Sequence, residues 1–465
     1  APEDFVRIPG PVATIDRTIE DCVPFNIMGT GHTSPEAASY LVSDKYDNGT
    51  VTQEFAEVVL TGDIADGIGA GSFALATGVT YRQESFWQRS FPRDLMAFGP
   101  VTNAPQIGIR GITAGWAGAA SVHLFTDFGA LTGEFDVTEL FAELDLPLLR
   151  TDNGRSISTN IAVRRSDYSL SGGITSGKLG FDFGLSESLR LRATVSRDVR
   201  EPTFAERFDV AGGGTTVDDP FTGLDNFFTI STELGNPALQ PEEADTVTAG
   251  IVYEPQAISG LQFAVDYYEI DLSGQIDFLS YNRIVQTCYD TRDTTRTYCD
   301  FIIRDPDTNL ISEIQNRYVN VANSFVTGVD LEVLWNTEVD FLSAAETFNM
   351  RVLAGWLNEN SQTPLGAPVP IERAGTDDYP DFTTLMVLGY TAGPYNVRLV
   401  NRYIPETIAN LDWHYRPMES CGAAACVPDT TIESMLTTNL TFGYEQEMAN
   451  GSTWQASLTV SNLFD

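Results

Sequence analysis

An antiparallel β-barrel that crosses a membrane is the fold class this sequence predicts, and three observations predict it. Alternating segments recur along most of the 465 residues. In each, apolar residues hold one face and polar or charged residues the other, the period-two signature of a strand. The connections between them are short and long by turns almost without exception, as in a barrel with tight turns at one rim and loops at the other. Aromatic residues make up 11% of the chain, with 17 Tyr and 27 Phe, as interfacial girdles require. A soluble sandwich shares the alternation but has no physical reason to put its long loops on every second connection. No stretch approaches the roughly 20 consecutive apolar residues of a membrane helix, which is expected where only alternate residues meet lipid.

Taken in order, residues 1–50 read as one extended loop with a short helix from Thr33 or Ser34. There Ser34-Pro35-Glu36 supplies an N-cap, a first-turn proline and an early acid. A first strand at 51–60 alternates poorly, whereas 72–82 sets Phe73, Leu75, Val79 and Tyr81 on one face. Gly67, Gly69 and Gly71 between them are followed by no helix, so they make a turn and not a dinucleotide loop. A long connection, about 85–132, carries Trp87 and Arg89. Strand 134–146 opposes Leu140, Ala142, Leu144 and Leu146 to Glu139, Glu143 and Asp145. Thr151-Asp152-Asn153-Gly154 is a hairpin signal, and Ile161, Val163, Phe181 and Phe183 line the apolar face of the next two strands.

In the following strand Leu189, Leu191, Ala193 and Val195 alternate with Arg190, Arg192, Thr194 and Ser196. A long Gly-, Pro- and Asp-rich loop separates it from a strand bearing Val247, Ala249, Ile251 and Tyr253. Strands at 261–268 and 319–335 bring Asp266, Asp330 and Glu332 to the polar face, with another long loop between them. Further strands at 348–356, 382–390, 396–403, 436–444 and 454–460 add Arg351, Arg398 and Arg402 to that face. The total is about fourteen strands of roughly 9–11 residues, the length that a tilted strand needs to cross a bilayer. An arginine among lipid costs about 2–4 kcal/mol at the midplane, so these arginines are expected to face an aqueous bore.

Net charge is −37, which excludes nucleic acid as a partner, since phosphate binding needs clustered Lys and Arg. The acidity fits long solvated loops; the sharper alternative is Asp-rich loops holding a divalent or other cationic ligand. Five cysteines include two local pairs, Cys288 with Cys299 and Cys421 with Cys426, each bracketing a polar loop. They fit disulfides in an oxidising compartment, and Cys22 is left over. With no Cys-x-x-Cys pair and only three scattered histidines, His32, His123 and His414, no metal site or cofactor is expected. No catalytic motif is present. Glu139 and Glu143, four apart on a strand, lie about 13 Å from each other, too far for the common glycosidase pairs. The sequence is therefore not read as an enzyme.

Segments Ser196-Arg197-Asp198-Val199-Arg200-Glu201-Pro202 and Gly235-Asn236-Pro237-Ala238-Leu239-Gln240-Pro241-Glu242 resemble the paired signature of TonB-dependent outer-membrane receptor barrels. Cys22-Val23-Pro24-Phe25-Asn26, Thr138-Glu139-Leu140-Phe141-Ala142-Glu143, Thr327-Gly328-Val329-Asp330 and the closing Asn462-Leu463-Phe464-Asp465 match further pieces. The resemblance implies a barrel of about 22 strands around a plug, in the outer membrane of a Gram-negative bacterium. Residues 1–465 are then expected to be a partial receptor β-barrel domain, without plug or last strand. It also implies TonB-coupled import of a scarce, bulky nutrient such as a siderophore, a cobalamin-like cofactor or an oligosaccharide. A passive porin-like channel or a secreted β-rich adhesin are the alternatives. Ligand contacts are expected on long loops, at Trp87, Arg89, Trp413, His414, Tyr415 and Arg416. Glu139, Glu143, Arg190, Arg192, Asp266, Asp330, Glu332, Arg398 and Arg402 are expected to line the lumen and brace the plug.

Overall fold

The computed structural model describes residues 34–35, 46–91, 131–291, 298–341, 346–363, 370–409, 430–449 and 451–464. Its first strands are β1 (Tyr46–Ala65), β2 (Phe73–Phe91), β3 (Leu131–Arg150), β4 (Ser156–Tyr168), β5 (Gly172–Ser186) and β6 (Leu189–Arg200). After helix α1 (Phe204–Phe208) come β7 (Val210–Asp219), β8 (Leu224–Leu234), β9 (Glu242–Tyr253) and β10 (Leu261–Asp277). Helix α2 (Tyr281–Thr291) precedes β11 (Ile302–Arg304), β12 (Ile311–Arg317), β13 (Val319–Val339) and β14 (Glu346–Thr363). The chain continues through β15 (Ile371–Glu372), β16 (Phe382–Ala392), β17 (Tyr395–Ile404) and β18 (Thr407–Ile408). It closes with β19 (Thr431–Ile432), β20 (Met435–Glu447) and β21 (Thr453–Val460).

Fourteen of these form one wall, in the order β1-β2-β3-β4-β5-β6-β9-β10-β13-β14-β16-β17-β20-β21. Every neighbouring pair is antiparallel, the product of chain reversals at each rim. Among the described residues, β1 and β21 form the two edges and do not pair with each other. The expected strand length is corrected: wall strands run from 8 residues in β21 to 21 in β13. Several rise beyond the span of a bilayer, where lipid no longer imposes alternation and the sequence signal fades. One rim turn also departs from the short-and-long rule, since residues 169–171 join β4 to β5 tightly at the rim that otherwise carries the long loops.

A second correction concerns the loops after β6 and β10. They co-fold into a cap, a small sheet ordered β11-β12-β8-β7 in which β12 pairs β8 in parallel. Helix α2 begins at Ser280, whose hydroxyl accepts the Arg283 amide. It lays Ile284, Val285 and Cys288 against Val217, Leu279, Tyr298, Ile311 and Ile314. Cys288 is disulfide-bonded to Cys299 within this apolar cluster. Burying these side chains yields about 1.5–3 kcal/mol each, and they give the cap a core of its own.

Candidate functional site

The register places all nine polar residues expected in the lumen on one face of the wall. Arg192 pairs across Gly250 with Asp266, which in turn opposes Asp330. One row away, Arg190, Val252, Ala264, Glu332, Leu353, Leu385 and Arg402 stand side by side. The guanidinium of Arg192 donates to both Asp266 oxygens, at 2.8 and 2.6 Å. It reaches over a strand to do so. A Cβ on Gly250 would stand 1.9 Å from Asp266 Oδ1, so only glycine leaves the passage open. Arg351 meets Glu332 at 2.8 Å, and Glu139 accepts from Thr80, Arg164 and Ser166. Asp330, Arg398 and Arg402 make no hydrogen bond or ion pair with another described residue. Asp330 and Arg402 line a recess of about 610 Å³ with Glu332, Thr383 and Leu385.

The opposite face inverts the usual logic of burial. On β9, Val247, Ala249, Ile251 and Tyr253 are exposed, whereas Thr246, Thr248 and Gly250 between them are covered to a greater degree. Aromatic residues bound this apolar face in two rows. Trp335, Phe348, Tyr390, Tyr395, Tyr444 and Trp454 make the lower one, with ring centroids 5.4 Å apart for Trp335 and Phe348, and 5.2 and 5.5 Å along Tyr395, Tyr444 and Trp454. Trp356, Phe382 and Tyr403 make the upper one, 5.0 and 6.3 Å apart. On β14, β16 and β17 the rows are eight residues apart (Phe348 to Trp356, Tyr390 to Phe382, Tyr395 to Tyr403). That is about 26 Å along a strand, or roughly 18–21 Å along the membrane normal at the usual tilt of about 35–45°, within the apolar band of about 25 Å that lipid requires. The polar Asn401 between the rows accepts a hydrogen bond from the Thr438 hydroxyl through its side-chain oxygen, at 2.6 Å.

The loop positions fare differently. Trp87 and Arg89 belong to β2 and not to a loop, because that strand runs on to Phe91. Trp87 is 48% exposed and shares the face of Val79 and Tyr81, away from the polar face. Trp413, His414, Tyr415, Arg416, Cys421, Cys426 and Cys22 lie outside the described residues. So does the expected first helix beyond Pro35.

Sequence reasoning missed what the two long motifs do. They form a clip at the base of the cap. Arg200 grips Glu242 at 2.6 and 2.7 Å and Glu206 at 3.0 Å through both nitrogens. Glu206 also closes a capping box with Thr203 at the start of α1. Burial raises the Glu206 carboxyl, but the Arg200 and Thr203 bonds outweigh that and hold its pKa below the ordinary value. Arg207 is fully buried. It donates to Glu201, to the Ser171 hydroxyl and to the Pro237 and Leu239 carbonyls, the last two at 2.8 and 3.3 Å. Gly235 lies against the α1 backbone, where a Cβ would come within 2.4 Å of Arg207 and Phe208. Phe204 packs on Phe86 and Phe135, at 5.8 and 5.0 Å, on the polar-face side of β2 and β3. A signal was present: Thr203-x-x-Glu206 directly after Glu201-Pro202 is a helix start.

A family profile described as "TonB dependent receptor-like, beta-barrel" matches residues 24–463. Among solved structures, the chain is similar to the ferric enterobactin receptor PfeA of Pseudomonas aeruginosa, at 14% identity and TM-score 0.56. That likeness covers 90% of this chain and 49% of the other. The siderophore receptor PirA of Acinetobacter baumannii is 13% identical with TM-score 0.56, over 91% and 52% of the two chains. For the ferripyoverdine receptor of the outer membrane of Pseudomonas aeruginosa the figures are 13%, 0.51, 90% and 45%. The chain thus spans about half the length of these structures, and at such identity the likeness is one of fold. No curated protein matches it.

Proposed function

Since this chain belongs to the TonB-dependent receptor-like β-barrel family, we propose that it forms wall and outer loops of a Gram-negative outer-membrane receptor for energy-coupled nutrient uptake. The observation that carries this reading is the pair of aromatic rows bounding an apolar face, with the Arg192–Asp266 and Arg351–Glu332 ion pairs on the other face. In this reading residues 1–465 are part of a barrel domain, and a plug and the contact with periplasmic TonB belong to the whole protein. Glu139, Glu143, Arg190, Arg192, Asp266, Asp330, Glu332, Arg398 and Arg402 line the lumen. The Asp330 carboxylate and the Arg402 guanidinium, which share a recess and bond to no other described residue, are groups available to a plug or passing cargo. Ligand contacts fall to the outer loops, with Trp413, His414, Tyr415 and Arg416 ahead of Trp87 and Arg89, because β2 turns Trp87 away from the bore.

The cargo is a scarce, bulky nutrient. A ferric siderophore is the first class to test, because the fold neighbours named above are siderophore receptors, with cobalamin-like cofactors and oligosaccharides next. Growth on single nutrients, with and without the intact receptor gene and with and without TonB, tests the reading. Uptake that needs both supports it. Uptake that needs the receptor and persists when TonB is deleted points to a passive channel and overturns it.

A further inference from the structure

The segments 196–202 and 235–242 are the strongest motifs in the sequence, and the uptake reading gives them no task. The geometry points to one: we propose that Arg207, locked to Glu201, is the pin that sets the bearing of the cap on the wall. It is a positioning residue that never touches cargo.

The cap has its own core and disulfide, and among the described wall residues the core meets the wall at Val319, so it does little to set how the cap stands on the barrel. Its bearing is decided at four chain crossings, after β6 and β10 and before β9 and β13. Each is tied. Arg200 joins the end of β6 to the start of β9 and to α1. Asn320 of β13 exchanges bonds with Gln240, at 2.9 and 2.8 Å, and donates to the Gly274 carbonyl. Asn236 holds the Tyr318 carbonyl at 2.9 Å. Arg207 adds what these lack, a link to a different part of the rim. Through Ser171 it reaches the tight β4–β5 turn, where the wall is low enough for α1 and residues 235–239 to lie across it. Phe204 and Phe208 then reach β2 and β3, the latter against Gly133. A buried ion pair suits a pin because removing either partner strands a charge without solvent, so the joint is either made or open.

The test uses the full-length protein in detergent or outer-membrane vesicles, comparing wild type, Arg207→Met, Arg207→Lys and Ser171→Ala. Hydrogen exchange reports the joint through the amides of Gly235 and Asn236, which bond to Asp209 and Glu206 carbonyls. A spin-label distance from Asp225 on the cap to Ala257 in the β9–β10 turn reports the bearing. In Arg207→Met those amides are expected to exchange on the order of ten-fold faster or more, with a broadened distance distribution. Cap-sheet amides, such as those of Ile314 and Thr232, stay within about two-fold of wild type. Arg207→Lys keeps the charge and loses the fork, so it falls between, and Ser171→Ala gives the smallest change in the same direction. Exchange of the cap sheet together with the joint would make the pair part of the cap's own fold and overturn the proposal. An unchanged distance in Arg207→Met would do the same. The consequence for uptake rests on the reading above: affinity for cargo drops with the distance change. A bearing that changes while no nutrient shows receptor-dependent uptake counts against the uptake reading and leaves the pin standing.

Discussion

Wall and cap solve the same problem in opposite ways. Among the described residues the buried apolar cluster belongs to the cap, and wall strands add to it the first residue of β13, Val319, at its margin. In the cap, Ile284, Val285 and Ile314 are wholly covered. In the wall, Leu140, Val195, Ile251 and Leu458 stay 48–64% exposed, and charges such as Arg164, Arg192 and Arg351 are the residues that find partners. Both parts come from one chain with similar letters. What differs is the solvent that each apolar side chain is built to meet: protein in the cap, acyl chains around the wall.

That contrast can be broken from either side, and the largest effect is expected in the cap. Ile284→Asp buries an unpaired carboxylate in the cluster and should cost about 4 kcal/mol. Denaturant unfolding followed by exchange of the cap amides should show the loss there and leave the β6–β9 pairing intact. Leu191→Arg should cost about 2–4 kcal/mol in lipid. The same residue change at Leu353, on the polar face, should cost clearly less, because a polar lumen solvates the charge. Folding titrations into vesicles measure both, and equal costs would erase the distinction between faces. Replacing Cys288 and Cys299 by serine opens a short loop, with an expected loss of about 2–3 kcal/mol confined to the cap.

The smallest expected effect is that of pH. Asp219 is buried, which raises its carboxyl, but the Arg304 guanidinium and the Thr222 hydroxyl more than offset this and lower the pKa. A carboxyl lowered in the folded state contributes its full stability above the unfolded value near 4, and loses it as pH falls through the lower folded one. Cap unfolding should therefore become easier only on the acid side of about pH 4. Asp219→Asn should flatten that part of the profile.

The comparison also separates what the sequence made legible from what it hid. Wall strands could be found because a bilayer enforces strict alternation, as in Leu189 to Ser196. Their true lengths could not, since in β2 the stretch beyond Tyr81 carries Gln83 and Ser85 on the apolar side, outside any lipid constraint. That is how Trp87 came to be expected in a loop. The cap was hidden for a different reason. Strand β7 contains Gly212-Gly213-Gly214, which gives no side chains to alternate, and β8 finds β12 some eighty residues further on. Such pairing is set by tertiary packing, which local propensity does not encode. Nothing in the sequence around Arg207 marks it as buried. Only the fold shows that Ser171 and Leu239 close around it.

The most direct measurement is a nitroxide scan of positions 189–196 in lipid vesicles, recording collision with oxygen, which concentrates in acyl chains, against a water-soluble nickel chelate. Oxygen contact should peak at 189, 191, 193 and 195 and nickel contact at 190, 192, 194 and 196, in strict opposition. The reverse phase, or two curves without period two, would mean that the leucines of β6 do not face lipid, and the membrane-wall account would fail.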